Sequence, residues 1–490
     1  MTSPEFDLLI KNVRVVRPQG NVVFDADIAV HAGQVALVAP GIAVERAKSV
    51  YDGRGRLAFP GVVDAHMHSG IYSPLAEDAI TESKAAAMGG VTSSLNYFRT
   101  GQYYLNKGGP YKKFFPEVLK TSAGRFHVDY GYHLAPMNGQ HIDEIPMLIE
   151  KHGVSSFKIF MFYGSHGLHG ASNSQREFLM IGEDERYDYA HFEFVMRGVQ
   201  AAREQMPDKA RHISLSLHCE TAEVMTAYTK LVEKDKSLKG LAAYSASRPP
   251  HSEGLAVFIA SYLAHETALP NINLLHLSSR KAVQAALMMA DVFPHIDFRR
   301  EVTIGHLMLD IHSKAAELAK VNPPIRPRED VEFLWDALLA GELDWVCSDH
   351  ACCRHETKIP ARYFGNIWMA KSGFGGTEYL LPALISEGTR RGMGYNHMAR
   401  VTSWNPAQRY GLNSKGDIAA GFDADIALVD TAKTWTIHAK DSPSTQGYTP
   451  FEGLEMSARV DETFLRGKLI YQNGQVLGKP SGQYLFRPTN

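Results

Sequence analysis

Between about residue 59 and residue 410 the chain alternates short apolar runs with stretches of helical period, and that alternation limits the folds open to it. Runs 156–161, 214–218, 273–277 and 345–349 have the length and apolar content of buried strands. Helical patterns lie between them at 189–205, 254–265 and 281–289. Strands that alternate with helices build a parallel sheet with helical crossovers. A segment of this length suits a (β/α)8 barrel. The two ends read differently. Runs 8–10, 13–16, 27–30 and 34–38, then 425–429, 435–437 and 462–471, are β-rich and separated by turn residues. Asn473-Gly474 reads as a tight hairpin turn, because both residues tolerate positive φ. The expected architecture is α/β: a (β/α)8 TIM-like barrel over 59–410, with a small β-sandwich domain assembled from 1–58 and 411–490.

Composition removes several function classes. A chain of 490 residues is too long for one simple core. Its formal net charge of −2 gives no electrostatic case for nucleic acid or an anionic membrane. No segment reaches the apolar length of a membrane span. The N-terminal residues lack the basic and apolar regions of a signal peptide. Cys219, Cys347, Cys352 and Cys353 form no CxxC pair and no disulfide framework. A cytoplasmic location is the expectation.

The chemistry-bearing residues fall at the strand ends. His66 and His68 close the apolar run after Pro60-Gly61. One residue apart on a strand, they face the same way and can grip one metal ion. Alone, the pair is as consistent with a surface strand as with a metal site. His218 ends its run, His276 comes late in another, and Asp349 follows 345–348. Each has a plain structural reading as a hydrogen-bonded core residue. Together they would converge on one barrel mouth, where barrel chemistry sits. Lys158 lies inside Phe157-Lys158-Ile159-Phe160, where a bare ammonium is expensive to bury. It is either an edge lysine snorkelling to solvent or a neutral amine that adds carbon dioxide to form a carbamate.

With these residues in place the chain resembles the amidohydrolase superfamily, and within it the cyclic amidases: dihydropyrimidinase (D-hydantoinase), allantoinase and dihydroorotase. Phe59 to His68, Ala87 to Thr92, Ser156 to Met161, Val321 to Arg326, Ser348-Asp349-His350, Trp404 to Ala407, Gly416 to Asp425 and Tyr448 to Gly453 are similar, in order, to the family's signatures. The resemblance implies a binuclear site. His66, His68 and Asp349 would hold one metal and His218 and His276 the other, with N6-carboxylysine at Lys158 and a hydroxide bridging both. It implies zinc first, with manganese or another divalent ion also compatible, since O/N ligands discriminate poorly. It makes Asp349 the proton carrier and Tyr163, five residues after Lys158, a donor to the substrate carbonyl. Relatives of this kind are homo-oligomers, commonly homotetramers, and a small-molecule cyclic amide is the implied partner.

Departures from the family pattern bear on the ring. Dihydroorotases follow their His-x-His with an arginine; here Ser69-Gly70-Ile71 stands there, which weighs against dihydroorotate. Ser372 replaces the asparagine of the usual Asn-Gly pair. Thr303 lies in a segment whose text differs from the usual one, and with Tyr163 and Ser372 it completes the candidate substrate contacts. The stretch 164–188, with His166 and His169, is long enough to be a lid, its histidines surface or lid residues rather than ligands. Cys352-Cys353 reads as small buried filler. These departures point to an unusual or larger cyclic amide, imide or ureide. Two other readings stand beside it: hydrolysis of an exocyclic amide on the same site, and a non-catalytic scaffold like the dihydropyrimidinase-related proteins. The scaffold reading conflicts with the presence of all six candidate ligands.

Overall fold

The structure, a computed structural model, describes residues 4–164 and 174–489. The N-terminal strands are β1 (Phe6–Val15), β2 (Phe24–His31), β3 (Gln34–Ala39), β4 (Ala47–Asp52) and β5 (Leu57–Pro60). Eight parallel strands follow: β6 (Val62–Met67), β7 (Val91–Phe98), β8 (Asp129–Leu134), β9 (Ser156–Phe160), β10 (Ser214–His218), β11 (Asn271–Leu274), β12 (Asp297–Thr303) and β13 (Trp345–Cys347). They pair in chain order. The ring is drawn together where Met67 bridges His350 and the His68 N–H donates to the His350 carbonyl at 2.8 Å. This is the TIM-like barrel that the alternation predicts. Most barrel strands are buried along their whole length because helices cover the outer face and side chains fill the inside.

The C-terminal strands are β14 (Ile426–Asp430), β15 (Trp435–Thr436), β16 (Glu455–Met456), β17 (Arg459–Leu465), β18 (Lys468–Gln472) and β19 (Gln475–Val476). Strands from both chain ends join one nine-stranded sheet, in the order β19-β18-β17-β14-β5-β1-β2-β3 with β4 beside β1. Its apolar cluster mixes Ile10, Val13, Val15 and Ile28 with Ile426, Leu428 and Phe464, so neither end buries its apolar face alone. The run 462–471, which reads as one strand, is two strands around Arg466-Gly467. Both turn residues have positive φ, 47° and 72°, the backbone a two-residue hairpin requires. Asn473 and Gly474 have φ of 46° and 88° between β18 and β19, as their sequence predicts. No described helix is long and apolar enough to cross a membrane.

Gly61 is the joint between the two sheets. Its N–H donates to the Asp425 carbonyl at 2.7 Å, and the next residue, Val62, donates to Gly90 at 3.0 Å. A Cβ at Gly61 would lie 2.2 Å from the Thr92 hydroxyl oxygen. The strand that carries His66 and His68 is thereby seated against β7. Gly61→Ala is expected to destabilise the protein by about 1–3 kcal/mol through this overlap. A denaturant midpoint equal to that of the parent protein would show that the joint is not tight.

Candidate metal centre

Each candidate ligand leaves the barrel at the same end. His66 is the fifth residue of β6 and His68 the first beyond it. Lys158 is the third residue of β9, and His218 the last of β10. His276 lies two residues past β11, and Asp349 two past β13. These last two have φ of 34° and 54°, a left-handed backbone that is strained for histidine and tolerated by aspartate. His68, Lys158, His218, His276, Asp349 and Tyr163 line one cavity at this mouth.

The acceptor atoms crowd together. His66 Nε2 lies 3.2 Å from His68 Nε2 and 3.2 Å from Asp349 Oδ1, and His68 Nε2 lies 3.3 Å from the same oxygen. Lys158 Nζ is 3.0 Å from His66 Nε2. The His218 and His276 rings are 4.3 Å apart between centroids, and His276 is 5.4 Å from His66. All six residues the sequence singles out are therefore neighbours.

Three supports were not legible in the sequence. Glu301, at 0% exposure, accepts from His66 Nδ1 at 2.8 Å, from the His276 N–H at 3.0 Å and from Trp345 Nε1 at 2.9 Å. Three donors make it the acceptor, so the His66 proton sits on Nδ1 and Nε2 keeps its lone pair for the cavity. Glu301 ends Arg299-Arg300-Glu301, a charged triplet that reads as surface in the sequence. Tyr104 pairs its hydroxyl with His68 Nδ1 at 2.8 Å and gives no motif at all. Glu220 bonds His218 Nε2 at 2.6 Å and is clamped by buried Arg248, leaving His218 Nδ1 for ligation. Its place two residues after His218 was the one available signal. Glu301→Gln is expected to weaken metal binding by about 10- to 100-fold, read by chelator competition. Unchanged affinity would remove Glu301 from the site.

The electrostatics suit cations. Burial pushes His66, His68, His218 and His276 below their ordinary imidazole range, so all four are neutral and hold a lone pair. Burial also lowers the Lys158 ammonium, against the pull of Asp349 and Glu301. Burial opposes ionisation of Asp349, yet any proton carried by the adjoining His66 or His68, and the Lys158 ammonium, draw the carboxyl below its usual range, as a bound cation would. His276 Nδ1 is buried with no hydrogen-bond partner. Neutral imidazoles, one ionised carboxylate and an orphaned ring nitrogen fit divalent metal ions better than a proton network.

The remaining expected residues separate. Tyr163 lines the cavity, its ring stacked on Phe160 at 4.5 Å. Ser372 also lines it; its carbonyl accepts from Tyr72 at 2.5 Å and its hydroxyl lies 3.3 Å from Tyr244 Oη and Asn322 Oδ1. Thr303 is not among the cavity-lining residues. Its hydroxyl caps the helix Ile304–Met308, accepting from the His306 N–H at 3.1 Å and meeting His306 Nδ1 at 2.7 Å. His166 and His169 lie outside the described residues. All four cysteines are buried and unpaired. Cys352 lies close to Asp78 and Glu82. Both Glu82 oxygens already accept from His350, Ser444 and Thr445, so that cluster reads as packing and not as a further metal site.

The chain is similar to proteins of known fold and name over its whole length. The profile described as the amidohydrolase family matches residues 260–470. An allantoinase of Deinococcus radiodurans is 31% identical over 98% of this chain and 99% of its own. The chain belongs to the amidohydrolase family. A D-hydantoinase of Geobacillus stearothermophilus is 28% identical over 98% of this chain and 96% of its own. The crystal structure of dihydropyrimidinase from Brevibacillus agri NCHU1002 superposes with a TM-score of 0.82 at 24% identity, over 98% of each chain, and shares the fold.

Proposed function

We propose that this amidohydrolase is a metal-dependent enzyme that opens a C–N bond of a cyclic amide or ureide. The observation that carries the reading is the convergence of His66 Nε2, His68 Nε2 and Asp349 Oδ1 to within 3.3 Å at the barrel mouth, with Lys158 beside them. Whole-chain similarity to proteins named allantoinase and D-hydantoinase supports the ring chemistry. The barrel, 59–410, would be the catalytic unit, with 1–58 and 411–490 forming the β domain. His66, His68 and Asp349 would hold one divalent ion, His218 and His276 a second, and carboxylated Lys158 would join them. Zinc suits the nitrogen-rich set, and manganese is compatible.

Divalent cations at such ligands supply Lewis acidity and bring the pKa of water toward neutrality. The chain's own groups do the rest. Burial favours the neutral Lys158 amine. Its nitrogen attacks carbon dioxide and loses one proton, leaving a carbamate whose charge is shared by two oxygens. Asp349, ionised and at the cavity edge, accepts a proton from the attacking water and delivers it to the leaving ring nitrogen. Tyr163 donates its hydroxyl proton to the carbonyl oxygen as negative charge develops there. Ser372 sits where a ring would be read, though its carbonyl is already taken by Tyr72.

Two assignments go with the enzyme. Leu255, Phe258, Tyr262, Met288 and Val292 stand exposed on two packed helices, Pro250–Glu266 and Arg280–Val292, and support a homo-oligomer, a dimer or homotetramer. Four buried, unpaired cysteines support a reducing cytoplasm. The function is tested by assaying metal-replete protein against dihydropyrimidines, hydantoins, allantoin, cyclic imides and lactams, with exocyclic amides as controls. Ring opening with about two ions per chain is the expected result. Hydrolysis confined to exocyclic amides would overturn it. Turnover of dihydrouracil or 5-monosubstituted hydantoins at least equal to every bulkier ring would overturn the larger-ring preference.

A further inference from the structure

Arg99 follows β7 directly and is fully buried, with 0% exposure. Its Nη1 donates to the carbonyls of Thr100 at 2.9 Å and Gln102 at 3.1 Å. Nε and Nη2 make no hydrogen bond of ordinary geometry, the Tyr163 hydroxyl being the polar group they approach, and no carboxylate pairs with the guanidinium among the described residues. A buried cation with neither counter-ion nor full set of acceptors is costly, and folds keep such groups where they act on something else. What surrounds it is aromatic. The guanidinium carbon stands 5.1 Å from the Tyr163 ring centroid, 5.6 Å from that of Tyr104 and 4.7 Å from that of Phe178. Tyr104 and Tyr163 both line the candidate metal centre's cavity; Arg99 does not. The charge therefore lies one ring behind the cavity wall.

We infer that Arg99 is a positioning residue for Tyr163: its fixed positive charge, held behind the phenol, strengthens the Tyr163 hydroxyl as a donor to the carbonyl oxygen that becomes negative during ring opening. The inference rests on the proposed function for Tyr163's partner, but the geometry behind Tyr163 is independent of it. Tyr72, Tyr103, Tyr104 and Tyr187 are phenols that also face Tyr163, and burial raises those of Tyr72, Tyr104 and Tyr187 above their ordinary range. Lys158 and Asp349 line the cavity that Tyr163 faces, and Arg99 is the charged group packed against the Tyr163 ring from outside that lining. Burial raises the Tyr163 phenol above its ordinary range, and Arg99 works against that rise. In a water-excluded site a fixed charge aimed at developing negative charge acts in the transition state more than in the ground state. Such a group alters kcat and leaves KM nearly alone.

The test is a double-mutant cycle. Arg99→Gln keeps an N–H donor and removes the charge. It is expected to lower kcat about 10-fold with KM little changed, while Tyr163→Phe lowers kcat about 100-fold. Arg99→Gln placed on Tyr163→Phe should then add less than about twofold, and Arg99→Lys should restore most of the lost rate. An equal 10-fold loss in both backgrounds would overturn the inference. So would a KM loss confined to rings bearing a carboxylate, which would make Arg99 a direct anion contact. A second readout needs no turnover. The Tyr163 ionisation, isolated as the tyrosinate absorbance lost with Tyr163→Phe, should move to higher pH in Arg99→Gln, and an unmoved titration overturns the inference. If the unsubstituted protein opens none of the rings, the proposed function fails, and this titration still decides Arg99.

Discussion

Lys158→Ala is expected to bind fewer than two metal ions per chain and to lose at least about 10³-fold in kcat. The size follows from what the side chain joins. Lys158 sits on β9, beside β10 with His218, and its Nζ is 3.0 Å from Nε2 of His66 on β6. As a carbamate it would be an anionic group placed to serve both halves of the proposed site. Without it, two cations a few ångströms apart would repel, and the attacking water would stay near its unperturbed pKa. Damage to the fold has to be separated from this. The lysine nitrogen packs 4.0 Å from the Tyr97 ring centroid and 4.3 Å from that of Phe160, so alanine leaves a cavity. Lys158→Met refills that space and removes the amine, and it should melt at or above the parent temperature while showing the same loss of metal and rate. Carbonate-free expression gives an independent arm: protein made without carbon dioxide should lack the added CO2 mass and recover metal binding when bicarbonate is supplied. Lys158→Met protein with both metals and full activity would refute the carbamate.

The readable part of this molecule is the part that repeats a simple pattern. The helices Tyr189–Gln205, Pro250–Glu266 and Arg280–Val292 were visible because their apolar residues recur with helical period. The strands β9, β10 and β13 were visible as apolar runs between them. β7, β8 and β12 were not, since Ser93, Ser94 and Asn96, then Asp129 and His133, then Arg299 and Arg300 break the apolar run. Some of those polar residues are held by partners far away in sequence, such as Asp129 by Lys415 and Arg466. The site divided in the same way. Metal-competent side chains at strand ends were legible because the barrel dictates where they point. Glu301, Tyr104, Arg248 and Arg99 were not, since each acts on its neighbour across long sequence separations. Thr303 was singled out because its segment departs from the family text; its hydroxyl caps the helix Ile304–Met308, a local role that the segment's departure from the pattern did not signal.

Asp349→Asn is expected to lower kcat by about 10³-fold with little change in melting temperature. Asparagine is the informative choice because Asp349 has φ of 54°. Aspartate and asparagine both tolerate that left-handed backbone, whereas alanine would add strain and confuse loss of chemistry with loss of structure. The substitution keeps an oxygen near His66 Nε2 and His68 Nε2, now 3.2 Å and 3.3 Å from Oδ1, but it removes the charge and the ability to carry a proton. Two consequences should separate. Loss of charge weakens the ion held with His66 and His68, and raising the metal concentration should restore occupancy. Loss of the proton carrier should persist at full occupancy, because an amide cannot take a proton from water and pass it to nitrogen. A protein that regains parental kcat once saturated with metal would make Asp349 a ligand only. One that stays about 10³-fold slower, with two ions bound, would establish the carboxylate as the group that moves the proton.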